Sequence, residues 1–88
     1  GEGWWQLPVV EEAEEMLRSS CADIKNSAGR PAGTITGGVF IGQFVDQGIS
    51  WAHLDIGGTS TAKKPEGHLP EGCTAFGTAT LIEYARTL

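Results

Sequence analysis

Apolar residues recur at helical spacing in three places along the 88-residue chain. In the first, Val9, Ala13, Met16 and Leu17 share a stripe, and Glu11, Glu12, Glu14 and Glu15 fill the positions between. This predicts an amphipathic helix over about residues 9–19, with Pro8 suited to its entry and the glutamates favoured by its N-terminal dipole. In the second, Ile35, Val39, Phe40 and Phe44 predict a helix over about residues 31–45 that starts at Pro31. In the third, Phe76, Ala79 and Ile82, with Leu81, Tyr84 and Leu88, predict a helix over about residues 75–87. Two short segments between them read as strands: Cys21-Ala-Asp-Ile-Lys25 and Trp51-Ala-His-Leu-Asp-Ile56. Residues 57–73 show no period, hold four glycines and two prolines, and read as a long surface loop.

The order helix, strand, helix, strand, helix predicts an α/β fold. It calls for a parallel strand pair and a right-handed crossover through the second helix. Two strands do not make a stable sheet by themselves. The chain is therefore expected to be incomplete alone, with further strands lying upstream or in a partner. It reads as one piece, residues 1–88, with no internal boundary. The opening Gly1-Glu2-Gly3, in place of an initiator methionine, is expected of a piece of something longer.

Glycine changes the picture of the second helix. Gly33 and Gly37, and Gly38 and Gly42, are each four apart, so each pair shares a helix face. Four glycines cost a helix on the order of 4 kcal/mol relative to alanine. Close packing of the helix against a neighbouring element is the expected compensation. A membrane GxxxG dimer is the sharper alternative, but the segment is too short and ends in Gln43 and Asp46.

Charge and composition exclude several classes. A net charge of −5, with no basic cluster beyond Lys63-Lys64, argues against a nucleic-acid binder. No apolar run reaches the ~18 residues of a membrane span. Hydrophobic residues make up 40% of the chain, too many for a disordered acidic tail. Cys21 and Cys73 form neither a CxxC pair nor a disulfide framework, so a reducing compartment and small, buried or semi-buried thiols are expected.

Several residues have candidate chemistry. His53 and Asp55 share a strand face and could ligate a metal, form a base–orienter couple, or hold the strand end by hydrogen bonds. One histidine and one carboxylate are too few for zinc, which favours the last reading. Gly57-Gly58-Thr59-Ser60-Thr61 follows the carboxyl end of a strand, where ligands bind in open α/β sheets, and could form a substrate wall. It lacks the spacing of a phosphate loop. Ser27 lies in the other strand-to-helix loop, without the GxSxG elbow of a serine nucleophile. Arg30, at a helix start, is expected to pair with the first helix's glutamates or with a substrate carboxylate. A thiol nucleophile assisted by His53 or His68 is a further alternative, with His68 expected to be exposed.

Three stretches together resemble one family. They are Ala22-Asp-Ile-Lys-Asn-Ser-Ala-Gly-Arg-Pro-Ala-Gly-Thr-Ile-Thr36 running on through Ile41, Trp51-Ala-His-Leu-Asp-Ile-Gly-Gly-Thr59, and Thr74-Ala-Phe-Gly-Thr-Ala-Thr-Leu-Ile-Glu-Tyr84. With Gly1-Glu-Gly-Trp-Trp-Gln-Leu-Pro8 they cover essentially the whole chain in order. The chain resembles the C-terminal end of the cytosolic leucyl aminopeptidases. That resemblance implies the C-terminal portion of a three-layer α/β/α catalytic domain. It implies a cytoplasmic, usually hexameric enzyme that removes N-terminal amino acids from peptides with two bridged divalent metals, commonly zinc, manganese or magnesium. Such metals activate a water and polarise the scissile carbonyl.

The family's metal-ligand and catalytic motifs are not among these 88 residues, so the segment alone is expected to hold no catalytic residue and no metal. Two substrate-pocket positions do carry over by resemblance. Ser27 falls near the site for the residue after the scissile bond. Gly57 stands where the family usually has alanine, in the pocket for the N-terminal residue, and a glycine there implies room for larger side chains. The expected partners are peptide substrates, the upstream part of the same chain and other copies of it, with no nucleic acid and no membrane. The alternative, a non-catalytic interaction module docking on longer subunits, stays open on the sequence.

Overall fold

A computed structural model describes all of residues 1–88. Its elements are α1 (Glu11–Met16), α2 (Gly33–Gly42), β1 (Thr61–Ala62), β2 (Gly72–Cys73) and α3 (Thr78–Thr87). They fall into two compact units: residues 6–54, and residues 1–5 with 55–88. No helix is long and apolar enough to cross a membrane.

The first unit is built on α1 and α2. Ala13 and Leu17, from the stripe of α1, pack with Val39 of α2, and Ile24, Ala28, Ile35 and Phe40 close around them. The glutamates stay in solvent, where Glu15 pairs with Arg18 at 2.8 Å. α1 is shorter than its pattern predicts. Val10 before it is extended, and the chain turns immediately after Leu17.

The strand expected over 21–25 does not form, and the cause is local. Ser19 Oγ accepts hydrogen bonds from the N–H groups of Cys21 (3.2 Å) and Ala22 (3.1 Å). The Lys25 N–H donates back to the Leu17 carbonyl at 2.8 Å. A serine hydroxyl that captures nearby backbone donors competes with any ladder, and here it bends the segment into a turn.

α2 begins two residues later than expected, because Pro31 and Ala32 form a turn and Ala32 takes a left-handed conformation, φ 53°. Thr36 is buried and donates from Oγ1 to the carbonyls of Ala32 and Gly33, at 3.2 and 3.3 Å. The close packing expected of its glycines is tightest at Gly42 and Gly38, and a Cβ on Gly37 would make an ordinary contact with the His53 ring at 3.8 Å. A Cβ built on Gly42 would lie 2.6 Å from Trp51 Cζ2, and one on Gly38 would lie 3.3 Å from His53 Nδ1. A Cβ on Gly33 meets nothing within 4 Å. Residues 51–53 thus lie across the Gly38–Gly42 face.

The second expected strand, 51–56, also has no ladder in this chain. A strand is defined by its partner, and the predicted parallel neighbour at 21–25 is a turn. The only sheet lies where a loop was expected. In the second unit, β1 and β2 pair antiparallel, Thr61 with Cys73 and Ala62 with Gly72. Glu66 and Leu69 close the tip by exchanging backbone hydrogen bonds of 3.0 and 2.9 Å, with Gly67 at φ 59° in the turn. The base is tied by Thr74, whose N–H donates to the Ser60 carbonyl and whose Oγ1 donates to that of Thr59. Glycines and prolines hid this hairpin, because they mark its turns and leave no alternating run for two-residue strands to show.

α3 starts at Thr78, after Gly77 in a left-handed conformation, φ 94°. None of its residues is buried. Trp4 packs on Phe76 with ring centroids 4.7 Å apart, and its six-membered ring lies 3.6 Å from where a Cβ on Gly77 would sit.

Candidate functional site

Ser27 and Gly57 sit on exposed loops, one in each unit. Ser27 is in the segment that links the turn after α1 to the start of α2. Its Oγ accepts a hydrogen bond from the Gly29 N–H at 3.3 Å, and Gly29, at φ 92°, reverses the chain toward Pro31. That is a serine-capped turn, and the hydroxyl's recorded partner is backbone, not an imidazole or carboxylate. Next to it, an open depression of about 510 Å³ runs between residues 22–26 and Phe40, Gln43 and Phe44.

Gly57 opens a tight turn. Asp55 Oδ1 accepts from the Gly57 N–H at 2.9 Å, and the Ile56 carbonyl accepts from Thr59 and Ser60 at 3.1 and 2.9 Å. The aspartate therefore fixes the turn through its side chain, an Asx arrangement that needs a short carboxylate two residues before the donor. A Cβ on Gly57 would stand 3.1 Å from that same Oδ1. An alanine here adds a methyl to the exposed turn and also presses on the group that holds it.

The His53 ring is half-buried against Gly37 and Gly38 of α2, and the exposed Asp55 accepts from the Gly57 N–H. No three His, Cys, Asp or Glu side chains converge anywhere in the chain.

The remaining candidates disperse. Both cysteines are exposed and unpaired, contrary to the burial expected of them. Cys21 Sγ lies 3.7 Å from Ser19 Oγ, on the outside of the turn that replaces the first strand. His68 is exposed at the hairpin tip, as expected. Arg30 is exposed, and the ion pair made by the α1 glutamates is with Arg18.

One cluster has no counterpart in the sequence analysis. Glu2 places Oε1 2.9 Å from the Gly77 N–H, and Oε2 3.0 Å from the Thr80 N–H and 2.6 Å from Thr80 Oγ1. Trp4 Nε1 donates to the same Thr80 Oγ1 at 2.7 Å. The Thr80 hydroxyl bond, with the backbone donors of Thr80, Gly77 and Ala79, holds the Glu2 carboxyl below the usual carboxylate range, against a smaller opposing push from desolvation. The sequence carried one signal for this cluster: α3 begins at Gly77-Thr78 without a capping side chain of its own.

Comparison with known proteins gives these loops a context. Residues 1–82 match the model of the cytosol aminopeptidase family, catalytic domain. A probable cytosol aminopeptidase of Alkaliphilus metalliredigens (strain QYMF) is 44% identical over 88 residues, which is 100% of this chain and 17% of that protein. Proteins of the same name from Prochlorococcus marinus (strain MIT 9211) and Synechococcus sp. (strain WH7803) are each 44% identical, over 97% and 96% of this chain and 17% of theirs. The chain thus spans about one sixth of the length of these curated relatives. No solved structure matches it. With a family model matched over residues 1–82 of 88, the chain belongs to the cytosol aminopeptidase family, as a segment of its α/β catalytic domain.

Proposed function

We propose that the chain forms the C-terminal part of a leucyl-type metalloaminopeptidase, an enzyme that removes N-terminal amino acids from peptides. The observation that carries this reading is 44% identity to a probable cytosol aminopeptidase across all 88 residues. The segment completes the three-layer α/β/α catalytic domain and contributes pocket wall through the Ser27 and Gly57 loops. It is inactive alone. The two divalent ions, zinc or manganese, are held by residues outside these 88, and the assembly is a cytoplasmic homo-oligomer, a hexamer.

The exposure pattern supports a supporting role. Only Ala13, Leu17 and Val39 are buried hydrophobics, while Phe44, Ile49, Trp51, Leu54 and Ile56 are exposed along one stretch of chain. The one sheet of this chain does not include residues 51–56. Apolar side chains exposed along such a stretch fit packing against further elements of a larger domain.

A chimera tests the reading. The corresponding segment of the Alkaliphilus metalliredigens protein is replaced by these 88 residues, and hydrolysis of a leucine anilide is measured with added manganese. The expected result is an active chimera and an inactive free chain. Turnover by the free chain, or a folded chimera without activity, overturns the proposal; the second result favours the interaction-module alternative. Within the active chimera, Gly57→Ala is expected to shift the ratio of kcat/KM for phenylalanine over leucine substrates downward by a few-fold, about the worth of one methyl group in a pocket. An unchanged ratio removes Gly57 from the pocket wall.

A further inference from the structure

Within these 88 residues α3 has few of the usual supports of a helix. It is ten residues long, buries none of them, and has no capping side chain at Gly77. A helix of this length is marginal in water, and most helices in proteins depend on a packed apolar face. What α3 has is the peptide of residues 2–4, more than seventy positions away in sequence. Glu2 supplies the cap from outside. One oxygen takes the Gly77 N–H, the other takes both the N–H and the hydroxyl of Thr80. Its negative charge also stands at the positive end of the helix dipole. Trp4 holds the same hydroxyl from the other side and stacks on Phe76, so Thr80 accepts from the indole and donates to the carboxylate.

We propose that Glu2, Trp4 and Thr80 form a latch by which the first residues of the chain hold α3 in its ordered state, with the ionised Glu2 carboxylate as the closing element. A carboxylate can accept all three hydrogen bonds. A protonated acid turns one acceptor site into a donor, accepts only weakly through its hydroxyl oxygen and loses the charge, so it holds the three donors less well. The charged side chains on the helix packed there are Glu83 and Arg86, which pair with each other at 2.5 Å. The groups that set the titration of Glu2 are the hydrogen-bond donors around it, not those charges. Its carboxyl lies below the ordinary 4.5, so the latch is fully closed above that value and opens as the pH falls through the lowered one. This inference is independent of the peptidase reading.

Hydrogen–deuterium exchange of the full 88-residue chain tests it, read by mass spectrometry on peptides from α2 and α3 and repeated on the chimera. Glu2→Gln is expected to speed exchange in α3 about tenfold at pH 7, the scale of one charge-assisted hydrogen bond, and to leave α2 unchanged. Thr80→Val is expected to do the same, and the double variant to be no worse than the stronger single one. The ratio of Glu2→Gln to wild type, taken at each pH so that intrinsic exchange cancels, is expected to fall toward one on acidification. Three results would overturn the latch: α3 exchange within twofold of wild type in both variants, a ratio indifferent to pH, or loss of protection in α2 in step with α3.

Discussion

α2 and α3 have the same length, ten residues, and are held by opposite means. α2 places Thr36 and Val39 in the interior, lies against α1, and takes Trp51 and His53 onto a face cleared by Gly38 and Gly42. Within this chain α3 buries nothing, and its anchor here is a set of hydrogen bonds to one carboxylate. Packing depends on volume and is indifferent to pH. A polar anchor depends on charge and is indifferent to the volume of residues elsewhere. The two helices should therefore fail under different insults, and each substitution below is chosen to separate them or to show that they cannot be separated.

The largest effect is expected at Leu17, the one large side chain that is fully buried. Leu17→Ala removes the centre of the small core it shares with Ala13 and Val39, at a cost of about 2–5 kcal/mol. With so few buried residues around it, that loss is expected to abolish exchange protection in α2. α3, held by Glu2, should keep its own. If both helices lose protection together, the two compact units unfold as one and the contrast between them is broken.

How much of this could be read beforehand divides along the same line. The α1 stripe, the helical character of 33–42 and the tight approach to its glycines were legible, because periodicity and missing side chains are properties of local sequence. The strand at 21–25 was misread because Ser19, two residues earlier, redirects its backbone donors. The hairpin at 61–73 was missed because its paired segments are only two residues long. The Glu2 latch lay beyond reach for another reason: it joins positions 2, 4 and 80, and no local pattern ties a carboxylate to a helix that far away. Ser27 and Gly57 were placed by resemblance. The structure supplies what resemblance does not, a serine-capped turn at one and an Asx turn at the other.

A smaller effect, about 1–3 kcal/mol, is expected from Gly42→Ala. The new methyl would lie 2.6 Å from Trp51 Cζ2, and the indole must swing away. Trp51 is 45% exposed, so it has somewhere to go, which keeps the cost below that of a true core clash. The control is Gly33→Ala, where a methyl meets nothing. It should stabilise α2 by up to about 1 kcal/mol, because alanine is the better helix former. Opposite signs from the same substitution, read as shifts of the urea midpoint, would establish that packing is tight at Gly42 and absent at Gly33. A destabilising Gly33→Ala would contradict the open space around Gly33.

The smallest effect belongs to the entry of α3. Ala75 adopts a left-handed conformation, φ 52°, just before Phe76-Gly77 and the helix. A side chain in that region is strained by roughly 1–2 kcal/mol, and glycine is not. Glycine also loses more freedom on folding, by roughly 0.5–1 kcal/mol, which offsets part of the relief. Ala75→Gly is therefore expected to slow exchange in α3 by a few-fold at most and to leave α2 untouched. The result sharpens the comparison because Ala75 lies between the hairpin and the capped turn and makes none of the latch's hydrogen bonds. If relieving its strain tightens α3 at pH 7 and the gain survives acidification, strain and latch are separate contributions. If the gain vanishes with the ionisation of Glu2, the backbone at Ala75 is held in its strained form by the latch itself, and the two are one device.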